Sequence, residues 1–93
     1  MRGTCVAVGE IDLATASAFG AAMCHAIDDA DAHTVFVDCS AVTFMDSSAF
    51  HAFIAAHRYA RSRSQQLRIR ELKPDCARVL NLCDWDHELM IEC

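Results

Sequence analysis

The 93-residue sequence has no uninterrupted apolar segment of bilayer-spanning length. Nothing after Met1-Arg2-Gly3-Thr4 resembles a secretory leader. The expectation is a protein that is not membrane-embedded and resides in the cytoplasm. Proline occurs once and glycine three times, with no Gly/Ser linker, low-complexity tract or internal repeat. Nothing divides the chain, so residues 1–93 are expected to form one small domain. No two cysteines stand in C-x-x-C spacing and no two histidines in H-x-x-x-H spacing. Zinc knuckles and thioredoxin-type redox motifs are therefore unsupported, and no metal or cofactor is expected. Basic side chains are nearly missing from residues 1–57, where Arg2 stands against seven carboxylates. With a net charge of −5, nucleic acid is not the expected partner.

Hydrophobic residues make up 54% and charged residues 23% of the chain, enough to build a core and too apolar for disorder. Seven basic residues, from Arg58 to Arg78, are concentrated in one stretch that reads as a solvated face. The six cysteines (Cys5, Cys24, Cys39, Cys76, Cys83 and Cys93) read as reduced small hydrophobes, with Cys93 the most reactive.

The chain repeats one rhythm, a short apolar run and then a helical pattern. Cys5 to Val8 reads as a strand ending at Gly9. Phe19, Ala22, Met23, Ala26, Ile27 and Ala30 recur at helical spacing, with Asp12 or Thr15 as the cap. Asp28, Asp29 and Asp31 then oppose the helix dipole and predict its end. Thr34 to Val37 reads as a strand covered on both faces, followed by a loop at Asp38 to Ser40. A second helix starts at Asp46 to Ser48, turns Ala49, Phe50, Phe53, Ile54, His57 and Ala60 inward, and ends at Arg61 to Ser64. Leu67 to Arg70 alternates as a half-exposed strand. Pro74 opens a third helix whose stripe is Cys76, Val79, Leu80 and Cys83. Leu89 to Ile91 is a last strand. The pattern βαβαβαβ predicts an α/β domain with a mostly parallel four-stranded sheet, about three helices and a short N-terminal strand. Function in such sheets gathers at the strand C-terminal ends. Here those ends are read as Gly9 to Asp12, Asp38 to Ser40 and Glu71 to Lys73.

Two stretches carry a family resemblance. Gly9-Glu10-Ile11-Asp12-Leu13-Ala14-Thr15-Ala16 and Val37-Asp38-Cys39-Ser40-Ala41-Val42-Thr43-Phe44-Met45-Asp46-Ser47-Ser48 resemble the signatures of STAS domains of the anti-sigma factor antagonist type. Pro74-Asp75-Cys76-Ala77-Arg78-Val79-Leu80 is similar to that family's third-helix motif. The resemblance implies a non-enzymatic module that binds an anti-sigma factor, usually one with serine-kinase activity, and so frees a sigma factor. It implies phosphorylation of Ser48, release on phosphorylation, and a phosphatase that resets the switch. The implied partner surface is Asp12, Thr15, Asp46, Ser47, Ser48, Ala49 and His51. A second reading is an accessory or scaffold STAS subunit of a membrane transporter complex.

The chain departs from that pattern at Ala49, Phe50 and His51, where the family usually has Gly, Leu and a small residue. It also departs ahead of Gly9, where the family usually has a further strand. A bulkier first turn narrows the approach of a kinase, and an exposed sheet edge invites weak self-pairing. His51 lies three residues beyond Ser48, close enough for its protonated ring to pair with a phosphate there. Ser47 and His51 share a helix face at spacing four, but no G-x-S-x-G elbow accompanies them, so a hydrolase is not expected.

Overall fold

Alternating burial on the strands, with three helices between them, sets the architecture. The structure is a computed structural model and describes residues 3–30, 32–82 and 90–92. The elements are β1 (Thr4–Ile11), α1 (Ala16–Asp29), β2 (Thr34–Met45), α2 (Ser47–Ser62), β3 (Gln66–Arg70), α3 (Pro74–Leu82) and β4 (Met90–Glu92). The body of the sheet is β1-β2-β3, all parallel, and the three-residue β4 adds a short parallel rung outside β3. Strands placed side by side in chain order, joined by crossovers of one hand, put the helices on one face. The burial agrees. Val35, Val37, Cys39, Leu67 and Ile69 point inward and meet Met23 and Ile27 of α1 and Phe53, Ala56 and Ala60 of α2, all essentially inaccessible. Phe19 meets Phe53 edge-on, with ring centroids 5.2 Å apart, an arrangement that adds about 0.5–1.5 kcal/mol to simple burial. His57 is buried on the inward face of α2, as expected.

Three expectations need correction. β1 is not short. It continues through Gly9, which adopts φ +85°, to Ile11. β2 does not end at Val37, so Asp38 to Ser40 is not a strand-end loop. The strand absorbs these residues through irregularities in its pairing with β1, one between Val6 and Val8 and one between Gly9 and Glu10. The Ser40 N–H donates to Asp38 Oδ1 at 2.9 Å, a local turn bond inside the strand. That bond is the first cause holding the Asp38 carboxyl below its ordinary pKa. Finally, β2 is not covered on both faces. Phe36, on the side away from the helices, is only partly buried, and the Arg70 guanidinium stacks 3.8 Å from its ring centre.

The helix ends explain where the chain turns. After α2, the Gln65 N–H donates to Ala60 C=O and the Ser64 N–H to Arg61 C=O, with Ser64 at φ +60°. This is a Schellman closure built on serine instead of glycine. The buried Gln65 amide then donates to Ile27 C=O at 3.3 Å and to Ala32 C=O at 3.1 Å. It ties the end of α1 to the start of β3. Tyr59 Oη donates to Asp28 Oδ1 at 2.5 Å, which joins the same ends of α1 and α2. Within α3, Cys76 is buried as expected. The expectations for the side chains of Val79 and Leu80, and for Cys83, Leu89 and Cys93, lie outside what is described.

Candidate partner-binding site

The end of the β1–β2 ladder builds the site. The Asp46 N–H donates to Ile11 C=O at 3.2 Å, so the residues after β1 and those opening α2 lie side by side. Each is locked by its own sequence. In the first turn, Asp12 Oδ1 accepts from the N–H groups of Ala14 (3.0 Å) and Thr15 (3.2 Å). Thr15 Oγ1 accepts from the Asp12 N–H at 2.9 Å and donates to Glu10 C=O at 2.9 Å. Thr15 occupies the cap position of α1 but makes no side-chain cap bond to the helix. Asp12 and Thr15, both proposed as caps from sequence, instead brace each other and hold the turn rigid. The turn lifts Leu13 into solvent, 83% exposed.

In the second turn, Asp46 caps α2 from extended backbone, its Oδ1 accepting from the Ser48 N–H at 2.8 Å. The first turn of α2 contains no acidic residue, so its positive end is offset only by that cap. Ser47 is exposed and Ser48 is half-buried. Ser48, His51 and Ala52 of α2 face Leu13, Ala16 and Ser17 across an open groove of about 390 Å³. Most of its wall is apolar, with the two serine hydroxyls and the His51 ring as its polar groups. The His51 ring also packs on Phe50, with centroids 4.9 Å apart.

Six of the seven residues expected at the partner surface are therefore gathered at one end of the molecule. The seventh is a correction. Ala49 is 0% exposed and packs in the core, so it cannot be a contact residue. Helical geometry turns position 49 toward the sheet while 47, 48 and 51 face outward. Sequence reasoning missed Leu13, Ala16, Ser17 and Ala52 as groove residues. Leu13 carried a signal, since it is a large apolar side chain between turn residues and off the helical spacing of α1. Among the described residues no three His, Cys, Asp or Glu side chains cluster as a metal site, and no helix is long and apolar enough to cross a membrane.

The fold has solved counterparts. A candidate anti-sigma factor antagonist from Thermotoga maritima superimposes with a TM-score of 0.79 at 16% identity, over 100% of this chain and 81% of that one. The anti-sigma factor antagonist SpoIIAA in its unphosphorylated form gives a TM-score of 0.67 at 19% identity, over 98% of this chain and 80% of that one. At such identities the likeness establishes the fold. No curated protein matches the chain significantly. The family described as "Mlab, STAS domain" matches residues 3–92, which span both turns, the sheet and all three helices. The chain belongs to the STAS domain family.

Proposed function

We propose that this protein is an anti-sigma factor antagonist. In this reading it docks on an anti-sigma factor of the serine-kinase type through the Asp12–Thr15 and Asp46–Ser48 turns. Phosphorylation of Ser48 ends the complex, and a phosphatase restores it. The observation that carries the reading is the position of Ser48 at the second residue of α2, on the wall of an open groove. A helix N-terminus tolerates a phosphate locally. The same group puts roughly −1.5 to −2 charge into a groove whose walls are mostly apolar, which a docked partner would have to desolvate. Two structures of the same fold described as antagonists, one explicitly as an unphosphorylated form, support the reading. In this reading protonated His51, which lines the same groove as Ser48, pairs with the phosphate.

The test is to incubate the protein with anti-sigma kinases and ATP and map phosphate by mass spectrometry. The expected result is a single phosphate at Ser48 that is lost in Ser48→Ala. Phosphate elsewhere, or none with any such kinase, refutes the assignment of the switch. The tilted Phe50–His51 ring pair, which bulks the surface next to Ser48, favours a second reading in that event. There the domain is a scaffold subunit of a membrane transporter complex and Ser48 stays unmodified.

A further inference from the structure

β1 stands at one end of the strand order, and among the described residues only β2 pairs with it. Two bonds fix the phase of its backbone. Gly3 C=O accepts from the Phe36 N–H at 2.7 Å, and Ile11 C=O accepts from the Asp46 N–H at 3.2 Å. Backbone groups alternate in direction along a strand, so the odd-numbered residues turn toward β2. Thr4, Val6, Val8 and Glu10 therefore turn their N–H and C=O groups outward. No Lys, Arg or Pro, the residues that commonly blunt an edge, lies between Thr4 and Ile11. At both pairing irregularities the extra residue belongs to β2, and Gly9 at φ +85° is the one non-extended residue of β1. Val6 and Val8 are 61% and 73% exposed on the face away from the helices. An open groove of about 270 Å³ runs along this edge, with Val6, Val8 and Glu10 among its β1 residues and Ala18, Phe19 and Ala22 of α1 opposite.

We propose that this edge binds a second copy of the chain, β1 against β1 in antiparallel register about a two-fold axis through Ala7. That register sets Val6 opposite Val8 of the second copy, and Thr4 opposite Glu10. These are the outward-facing positions, so they meet as hydrogen-bonded pairs, each exchanging two N–H···O bonds. The two valines form a β-branched cross-strand pair on either side of the axis. Charge favours this surface over the rest of the molecule. Two copies of net charge −5 repel each other, yet the only charged side chain on β1 is Glu10, and α1 carries no Asp, Glu, Lys or Arg before Asp28. The two-fold keeps Glu10 away from its own counterpart. It also turns the Ala18–Ala22 sides of the two α1 helices toward each other, where short side chains let them close over the groove. An isologous contact of this kind terminates at the dimer.

Sedimentation velocity on the full chain over a wide concentration range tests the proposal, with a reversible monomer–dimer equilibrium expected. Val8→Lys should raise the dimer dissociation constant at least ~10-fold, because it places lysine in the pair next to the axis. Val8→Thr, which keeps a β-branched residue, should change it far less. Circular dichroism establishes that each variant is folded. Hydrogen exchange on the parent needs no variant at all. The Val6 and Val8 amides should slow as concentration rises while core amides do not change. A monomer at every concentration, exchange at Val6 and Val8 that ignores concentration, or a folded Val8→Lys that dimerises like the parent each overturns the proposal. If an unrelated protein's strand were the true occupant, the monomer result would appear. None of these measurements involves Ser48, so their failure leaves the antagonist reading untouched.

Discussion

Replacing Ser48 with Asp should separate the binding role of this position from its structural role. The new carboxylate sits at the second residue of α2, where the helix has no acidic side chain in its first turn. The dipole favours it by about 0.3–1 kcal/mol. Opposing this is the Asp46 carboxylate, already engaged with the Ser48 N–H. At a separation of about 6 Å in water, two unit charges repel by about 0.7 kcal/mol. The two effects nearly cancel, so Ser48→Asp should melt within ~0.5 kcal/mol of the parent. Binding should respond very differently. A like-charge or unpaired charge in a docked interface costs several kcal/mol, so affinity for the anti-sigma factor should fall well over ~10-fold. Asp46→Ala should show the reverse emphasis. Losing the cap should cost ~1 kcal/mol, and Asp46→Asn only a few tenths. For a domain of this size the alanine variant should melt roughly 4–8 °C lower. Thermal melts followed by circular dichroism, with calorimetric titration of the anti-sigma factor, read both axes. If Ser48→Asp loses ~2 kcal/mol or more of stability, its weaker binding reports unfolding and the argument fails. If it is stable and binds like the parent, the switch itself fails.

Other outcomes follow from single features. Ser64→Gly should raise stability by about 0.5–1 kcal/mol in a denaturant melt, because Ser64 closes α2 at φ +60° and glycine adopts that conformation freely. Gly9→Ala should lower it by about 1 kcal/mol through backbone strain alone, since an added methyl at φ +85° meets no atom within 4 Å. Burial pushes the Cys39 thiol up to about 12, so a thiol reagent at neutral pH should label it only as fast as the protein unfolds. The Asp28 hydrogen bond raises the pKa of Tyr59. That contribution to stability is complete below the phenol's ordinary value near ~10 and is lost as pH rises through the higher folded value. Tyr59→Phe should therefore flatten the alkaline limb of a stability-versus-pH curve.

Much of this molecule was legible because its local signals agree. Asp28 and Asp29 close α1 where their charge opposes the dipole, Asp46 caps α2, and Leu67 and Ile69 face inward while Arg68 and Arg70 do not. The two strand ends were misjudged for a common reason. Gly9 and the Asp38–Ser40 segment look like chain breakers, yet a parallel ladder can carry a positive φ and an extra residue without ending. The covered strand was misjudged because an apolar run does not reveal whether an arginine from the next strand will shield Phe36. At the site, periodicity turned Ala49 inward, as it is in the structure, while the family resemblance singled out Ser48 and counted Ala49 with it as a contact. The rotation of α2 against the sheet, legible in its apolar spacing, is what separates the two. Leu13 stood out as an apolar residue off the helical spacing, but the Asp12–Thr15 bonds that raise it into solvent do not show in a hydrophobic pattern.

Ala49 is fully buried in the core, and this constrains more than packing. Its methyl acts as the spacer between the opening turn of α2 and the sheet beneath. A larger side chain would have to lever that turn upward, at a cost typically of 1–3 kcal/mol. The neighbouring hydroxyl would rise with it and tilt relative to Leu13. Position 49 thus works as a height gauge for a site it never touches, and exchanges there should alter docking without altering a single contact residue.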